Sequence, residues 1–277
     1  MGGDAMLGNI MDESPDREKV PVLPERLTEH RPATASFAPL SLAELDAEGL
    51  LIRHDTKFLI AEPRLPGLLS RLAPFCRILD IGGRRSFGYD SLYLDTPRRD
   101  LFRAHHQGKV RRLKARWRVY RDTGACFFEV KNKVSPETTV KKRTEAPGGP
   151  TLGLAPALRA MLGNLSGMPL EPVLWVRYDR MTLVSTDHSV KFTIDTGLEF
   201  LGRSSVHSLP GLVVAEAKTR SPRPRGPVGE ILAGMHARPE RFSKYCAGAI
   251  ALGEHHCHFL RPAWRHAERI SLHARAG

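Results

Sequence analysis

The segment Lys114-Ala115-Arg116-Trp117-Arg118-Val119-Tyr120 alternates strictly: even positions are basic and then phenolic, odd positions apolar. A period of two sends successive side chains to opposite faces of a β-strand, so this strand has one charged and one greasy face. The pattern recurs in Phe128-Glu129-Val130-Lys131, in Val190-Lys191-Phe192-Thr193-Ile194-Asp195 and in Val213-Val214-Ala215-Glu216-Ala217-Lys218. On a single strand, a polar face of this kind ordinarily points to water. Recurrence on several strands leaves two architectures: a charged outer surface around an apolar core, or a charged lumen inside a barrel. The apolar faces are rich in Trp, Phe, Val and Ile, and helical segments are available to cover them from outside, which favours the lumen. Cations crowded in such a lumen are costly unless an anion compensates them, so a polyanionic ligand is expected, and a linear phosphate chain suits both shape and charge.

Working outward, SFGYDSLYLDT (86–96), PVLWVRYDRMTLVST (172–186) and LVVAEAK (212–218) also read as strands, rich in β-branched and aromatic residues. Tight turns are expected at Asp122-Thr123-Gly124 and Asp187-His188. Leu65, Leu68, Leu69 and Leu72 have helical spacing over residues 64–74, and helical patterns return at 153–163 and from Val228 through Leu252. Ser41-Leu42-Ala43-Glu44 forms a capping box at the head of a short helix, followed by a strand at Leu51–Ile60. Many strands with mostly short joins predict an α+β chain built on an antiparallel β-barrel with helices packed outside. Residues 1–37 are expected to be disordered, 38–258 to form the domain, and 259–277 to be a loose basic tail.

Forty-two Lys and Arg against 30 Asp and Glu leave a net charge of +12 over 277 residues, which points to an anionic partner. No helix-turn-helix, RRM signature or basic helix is present, so nucleic acid is not the expected partner. Cys76, Cys126, Cys246 and Cys257 are scattered without a CxxC pair, which fits a reducing cytoplasm rather than a zinc ribbon or disulfide scaffold. The first residues lack signal-peptide order, Met6 breaks the myristoylation pattern, and no apolar run nears the roughly 20 residues of a membrane span, so a soluble cytoplasmic protein is expected. Gly82-Gly83-Arg84-Arg85 lacks the frame of a phosphate-binding loop. Glu254-His255-His256-Cys257-His258 reads as a solvated helix end, since adjacent residues seldom converge on a metal.

The ordered set RHDTKF (53–58), SLYLDT (91–96), KARWRVY (114–120), FEVK (128–131), VKKR (140–143), RYDR (177–180), IDTGL (194–198), AEAK (215–218) and RFSKYCAG (241–248) resembles the VTC domain, the catalytic polyphosphate polymerase domain of the vacuolar transporter chaperone family, related to the triphosphate tunnel enzymes. The likeness runs from Arg53 to Leu252. It implies a stand-alone tunnel domain that moves the γ-phosphoryl of ATP onto a growing polyphosphate chain, with triphosphatase, nucleotidyl cyclase or non-catalytic polyphosphate binding as the alternatives. Carried over by motif, it assigns catalytic contacts to Arg116, Arg118, Lys131, Lys141 and Arg180, and phosphate binding to Lys57, Tyr178, Lys191, Ser243 and Lys244. Glu216 would hold a divalent metal, Mn²⁺ or Mg²⁺. Three positions depart from the family pattern. Lys191 stands where eukaryotic members carry Arg, His105 falls near another basic position, and Asp55 is a single acid where the hydrolytic tunnel enzymes use ExExK.

Overall fold

A computed structural model describes residues 31–47, 54–135, 138–146, 149–150, 154–253 and 260–276. The expectations for residues 1–30, for 51–53 of the first strand and for the 254–258 run lie outside them. In chain order the elements are α1 (Arg31–Thr34), β1 (Ala38–Leu40), α2 (Leu42–Ala47), β2 (His54–Ala61), α3 (Leu65–Leu72), β3 (Cys76–Leu79), β4 (Phe87–Asp95), α4 (Asp100–His106), β5 (Arg112–Tyr120), β6 (Cys126–Lys133), β7 (Thr139–Glu145), α5 (Pro156–Ala160), β8 (Glu171–Ser185), β9 (Val190–Leu201), β10 (Val206–Leu209), β11 (Leu212–Thr219), α6 (Gly226–Gly234), α7 (Lys244–Ala251) and α8 (Arg261–Ala276).

Local chemistry accounts for most of these boundaries. Ser41 Oγ donates to Glu44 Oε2 at 2.7 Å while the Ser41 and Glu44 amides donate to the partner side chains, which is the capping box at the head of α2. The β5–β6 turn passes through Gly124 at φ 69°. At the β8–β9 turn His188 takes φ 57°, with Asp187 Oδ1 accepting from Ser185 Oγ and Ser189 Oγ.

The strands hydrogen-bond in the order β2-β11-β9-β8-β4-β5-β6-β7, antiparallel throughout, with β10 added beside β9 and β3 beside β8. Among the described strands, only β1 and β3 pair in parallel. The greasy faces are covered from outside, as the alternation requires. Leu65, Leu68, Leu69 and Leu72 of α3 and Val228 and Leu232 of α6 pack on Phe58, Ile60, Phe192, Ile194, Val213 and Ala215. Leu154 and Leu162 cover Trp117, Phe128 and Val130. The charged faces therefore turn inward.

One end of the interior is apolar. A bulge in β9 around Gly197, at φ 61°, places two residues opposite one of β8, so Asp195 and, beyond the bulge, Leu198 and Phe200 all face inward. There they meet Leu59, Val176, Val214, Tyr245 of α7 and Trp264 of α8 in one buried cluster. Polar and apolar halves of the lumen thus alternate along the strands, not between them.

The α+β antiparallel architecture is as expected, with a sheet that is not closed by a strand ladder: among the described strands β2 and β7 end the order. The outer edge of β2 is instead taken by the Pro239–Glu240 segment, where the Glu240 amide donates to Lys57 O at 2.8 Å, and β7 carries Lys141, Lys142 and Arg143 on an exposed edge that stays solvated. Three expectations are corrected. Disorder does not extend to residue 37, because α1 is a helical turn and Phe37 is 3% exposed in the core. The continuous helical pattern from Val228 to Leu252 breaks into α6 and α7, with His236 at φ 52° between them. The basic tail is not loose: α8 buries Ala263, Trp264, Ala267 and Ser271 against the sheet. No described helix is long and apolar enough to cross a membrane.

Candidate functional site

Strand β5 supplies the centre of the inner face. Arg116 lies opposite Glu129 of β6 and Tyr93 of β4, and all three side chains point inward. Its Nε and Nη2 donate to Glu129 Oε2 at 2.8 and 2.6 Å, and its Nη1 donates to the Tyr93 hydroxyl at 2.9 Å. Glu129 also faces Lys141 at 2.9 Å, Arg118 at 3.6 Å and Arg143 at 3.8 Å. Burial disfavours its charge, but Arg116, Arg118 and Lys141 outweigh that and hold the carboxyl well below the usual range. One buried acid thus gathers four cations from the two strands that flank it.

Tyr178 of β8 is a second hub. Its hydroxyl accepts from Arg118 Nη2 at 3.1 Å, and its ring lies 5.2 Å from the Arg180 guanidinium and 4.7 Å from Lys244 Nζ. Arg180 grips Asp195 with both Nε and Nη2, at 2.6 and 2.8 Å, and Lys244 bonds the same carboxylate from the start of α7. Burial works against the Asp195 charge, yet the two cations bring its pKa down to about 2. Ser243 caps α7, accepting from the Cys246 amide at 3.4 Å, and receives Lys114 Nζ at 2.9 Å.

On the remaining wall, Glu216 of β11 stands opposite Lys57 of β2 at 3.4 Å and bonds Lys218. Partial burial disfavours its charge, but Lys218 and Lys57 outweigh that and hold the carboxyl far below the usual range. Asp55 meets Lys131 at 3.1 Å. Lys191 shares the face of Thr193 and Asp195, opposite Lys218. All eleven residues assigned from the sequence therefore share one concave surface: Lys57, Arg116, Arg118, Lys131, Lys141, Tyr178, Arg180, Lys191, Glu216, Ser243 and Lys244.

The surroundings of Glu216 fit a hard divalent ion. Thr193, directly opposite it in the register, has a buried hydroxyl oxygen without a hydrogen-bond partner, and Asp55 lies close enough for its charge to act on Glu216. Among the described residues no cluster of three or more His, Cys, Asp or Glu could enclose a metal. One or two carboxylates completed by phosphate oxygens is the way Mg²⁺-type ions are commonly held beside phosphates.

The motif assignments missed Glu129 and Asp195, the acids that organise the cations, and also Lys114, Lys218, Arg143 and Tyr93. The signal for them was the alternation itself, which puts Lys114 and Lys218 in step with assigned neighbours.

The antiparallel sheet curls, with α3 and α6 packed on its convex side and paired Arg, Lys and carboxylates on its concave side. The chain belongs to the VTC domain family, whose model matches residues 52–149 and 156–252. No curated protein sequence matches. Among solved structures, the chain is similar to a putative adenylate cyclase from Vibrio parahaemolyticus, at 15% identity over 69% of this chain and 94% of that one, with a TM-score of 0.42. It is also similar to HpAC1 of Hippeastrum, described as a putative adenylyl cyclase with a dominant triphosphatase activity, at 16% identity over 74% and 100% of the chains and a TM-score of 0.46. A third is the PH1819 protein of Pyrococcus horikoshii, at 14% identity, 70% and 96% coverage and a TM-score of 0.39.

Proposed function

We propose that this tunnel domain transfers the γ-phosphoryl group of ATP to a growing polyphosphate chain with the help of a divalent metal. The observation that carries the proposal is the exchangeable pairing of the inner face: Arg116, Arg118 and Lys141 share Glu129, and Arg180 and Lys244 share Asp195. A phosphate chain offers the same cations more oxygens and more charge than these carboxylates, in forks that Arg can engage bidentately. Phosphoryl transfer asks the protein for charge neutralisation and in-line positioning more than for an acid or base.

In this reading Arg116, Arg118, Lys131, Lys141 and Arg180 neutralise the transferring group, and Lys57, Tyr178, Lys191, Ser243 and Lys244 hold the chain. Glu216 holds Mn²⁺ or Mg²⁺, whose contribution when bound is to neutralise phosphate oxygens, with the Thr193 hydroxyl beside it. Asp55 is the sole acid on the inner face of β2, followed in step by Lys57 and Leu59, which weighs against the alternative of a triphosphatase.

The test is incubation of the purified protein with ATP and Mn²⁺ or Mg²⁺, with gel analysis for polyphosphate and parallel assays for orthophosphate, pyrophosphate and cyclic nucleotide. Long-chain product is expected. Orthophosphate alone would make the protein a triphosphatase, and tripolyphosphate binding without turnover a binding module.

A further inference from the structure

Away from the inner face, the arginines fall into two groups. Arg77, Arg85, Arg99 and Arg177 each meet an acid, respectively Glu44, Asp80, Glu171 and Asp90, at 2.8 to 3.0 Å. Arg261, Arg265 and Arg269 of α8 do not: all three are exposed, and among the described residues no acid lies within ion-pair distance of any of them. The same holds for Arg238 and Arg241, exposed on the Pro239–Glu240 segment that His266 ties to α8 through Glu240 at 3.0 Å.

Helix geometry sets these groups in line. Residues four apart lie one above the other, so Arg261, Arg265, Arg269 and His273 form one exposed row, about 12 Å long from the first arginine to the third. Leu272, two turns beyond Arg265, projects on the same side and is 62% exposed, more than any other large apolar side chain among the described residues. Glu268 is the one acid of the helix and sits half-buried on the flank of the row. Ala263, Trp264, Ala267 and Ser271 are buried on the opposite side, so packing fixes which face of α8 looks outward.

Unpaired guanidinium groups held side by side on a chain of net charge +12 repel one another and attract an anionic surface. A soluble polyanion such as polyphosphate would engage the arginines but offers nothing to Leu272. An anionic bilayer offers both, with charged headgroups at one level and hydrocarbon just beneath. We propose that the outer face of α8, with Arg238 and Arg241 beside it, docks the protein on an anionic lipid surface. The helix is already folded and locked by its buried side, so docking carries no cost of ordering it. The apolar end of the interior, against which Trp264 packs, is then the end nearest the bilayer. The proposal stands apart from the phosphoryl-transfer reading and uses none of its residues.

The test is flotation of the full chain with vesicles of phosphatidylcholine alone and of phosphatidylcholine with phosphatidylserine. Wild type is expected to float with the anionic vesicles only and to be released by salt. At roughly fivefold per charge, replacing Arg261, Arg265 and Arg269 together by Gln should weaken binding about a hundredfold. Removing the same charge elsewhere, by replacing exposed Arg103, Lys109 and Arg111 together by Gln, should leave binding within about twofold of wild type. Leu272→Ser should weaken it several-fold, and Leu272→Trp should show a blue shift of indole fluorescence on anionic vesicles that wild type lacks. All these positions are exposed, so the melting temperatures should stay at the wild-type value. Equal weakening by the two triple variants would reduce the effect to net charge and overturn the assigned face. Vesicle binding that survives loss of the three α8 arginines would overturn it too, as would dependence on them of soluble polyphosphate binding but not of vesicle binding.

Discussion

Lys131 on β6 and Asp55 on β2 meet at 3.1 Å, although five strands lie between β2 and β6 in the sheet. The sheet therefore curls until its two ends face each other, and side chains close what the backbone ladder leaves open. Lys131 is 47% exposed, so this pair is worth about 1 kcal/mol or less to stability. Asp55→Asn should leave the melting temperature almost unchanged. It also removes one of the lumen's own anions, so metal-free tripolyphosphate should bind several-fold more tightly. Weaker binding by calorimetry would show that Asp55 shapes the tunnel rather than competes for its cations.

Under the proposed function, Glu216 separates metal chemistry from phosphate binding. Glu216→Gln is expected to abolish metal-dependent turnover while tripolyphosphate still binds. It also leaves Lys57 and Lys218 without their shared anion, so the ligand-free protein should lose about 2 to 4 kcal/mol by urea denaturation. Full activity in this variant would refute the metal role.

Arg180→Lys tests the fork on Asp195. A lysine cannot reproduce the two bonds at 2.6 and 2.8 Å, and Asp195 is almost wholly buried, so a lost partner is not replaced by water. We expect a loss of about 2 kcal/mol in stability and weaker tripolyphosphate binding. Native stability would mean that Lys244 alone satisfies the acid.

Acid should unfold the protein through the same acids. Asp195 falls to about 2 in the folded chain, against roughly 3.9 when unfolded, so its contribution is present above about pH 4 and is lost as pH falls toward 2. Glu129 and Glu216 shift the same way. Asp195 alone amounts to about 2 kcal/mol. Urea midpoints should hold steady from about pH 7 to 5 and fall steeply below 4; a flat profile to pH 3 would contradict these pairings.

The inner face was legible because strand parity is a local rule. Arg116 and Arg118 had to share a side with Lys114, and Trp117 had to face away. The capping box at Ser41 and the turn at Gly124 were legible for the same reason. What failed depended on partners distant in sequence. Nothing local in β2 shows that Pro239 and Glu240 take its outer edge and forestall closure. Lys114 looks like its basic neighbours until the structure shows which cations find an acid. The α8 sequence, dense in Arg and His, reads as a solvated tail because its apolar positions are few and its docking surface is formed by β2, β10 and β11.

Helix α8 therefore supplies the last prediction. Trp264 is 8% exposed, packs with Leu209, Leu212 and Phe242 and sits 5.7 Å from the His207 ring, while Ala267 is fully buried one turn on. His266 pairs with Glu240 at 3.0 Å, next to the segment that covers the β2 edge, so α8 also steadies the substitute for barrel closure. Trp264→Ala should cost about 3 kcal/mol through the cavity it leaves. Arg265→Ala, one residue on and exposed, should cost almost nothing. Equal, negligible effects of the two substitutions on the urea midpoint would show that α8 does not hold the apolar end of the tunnel together.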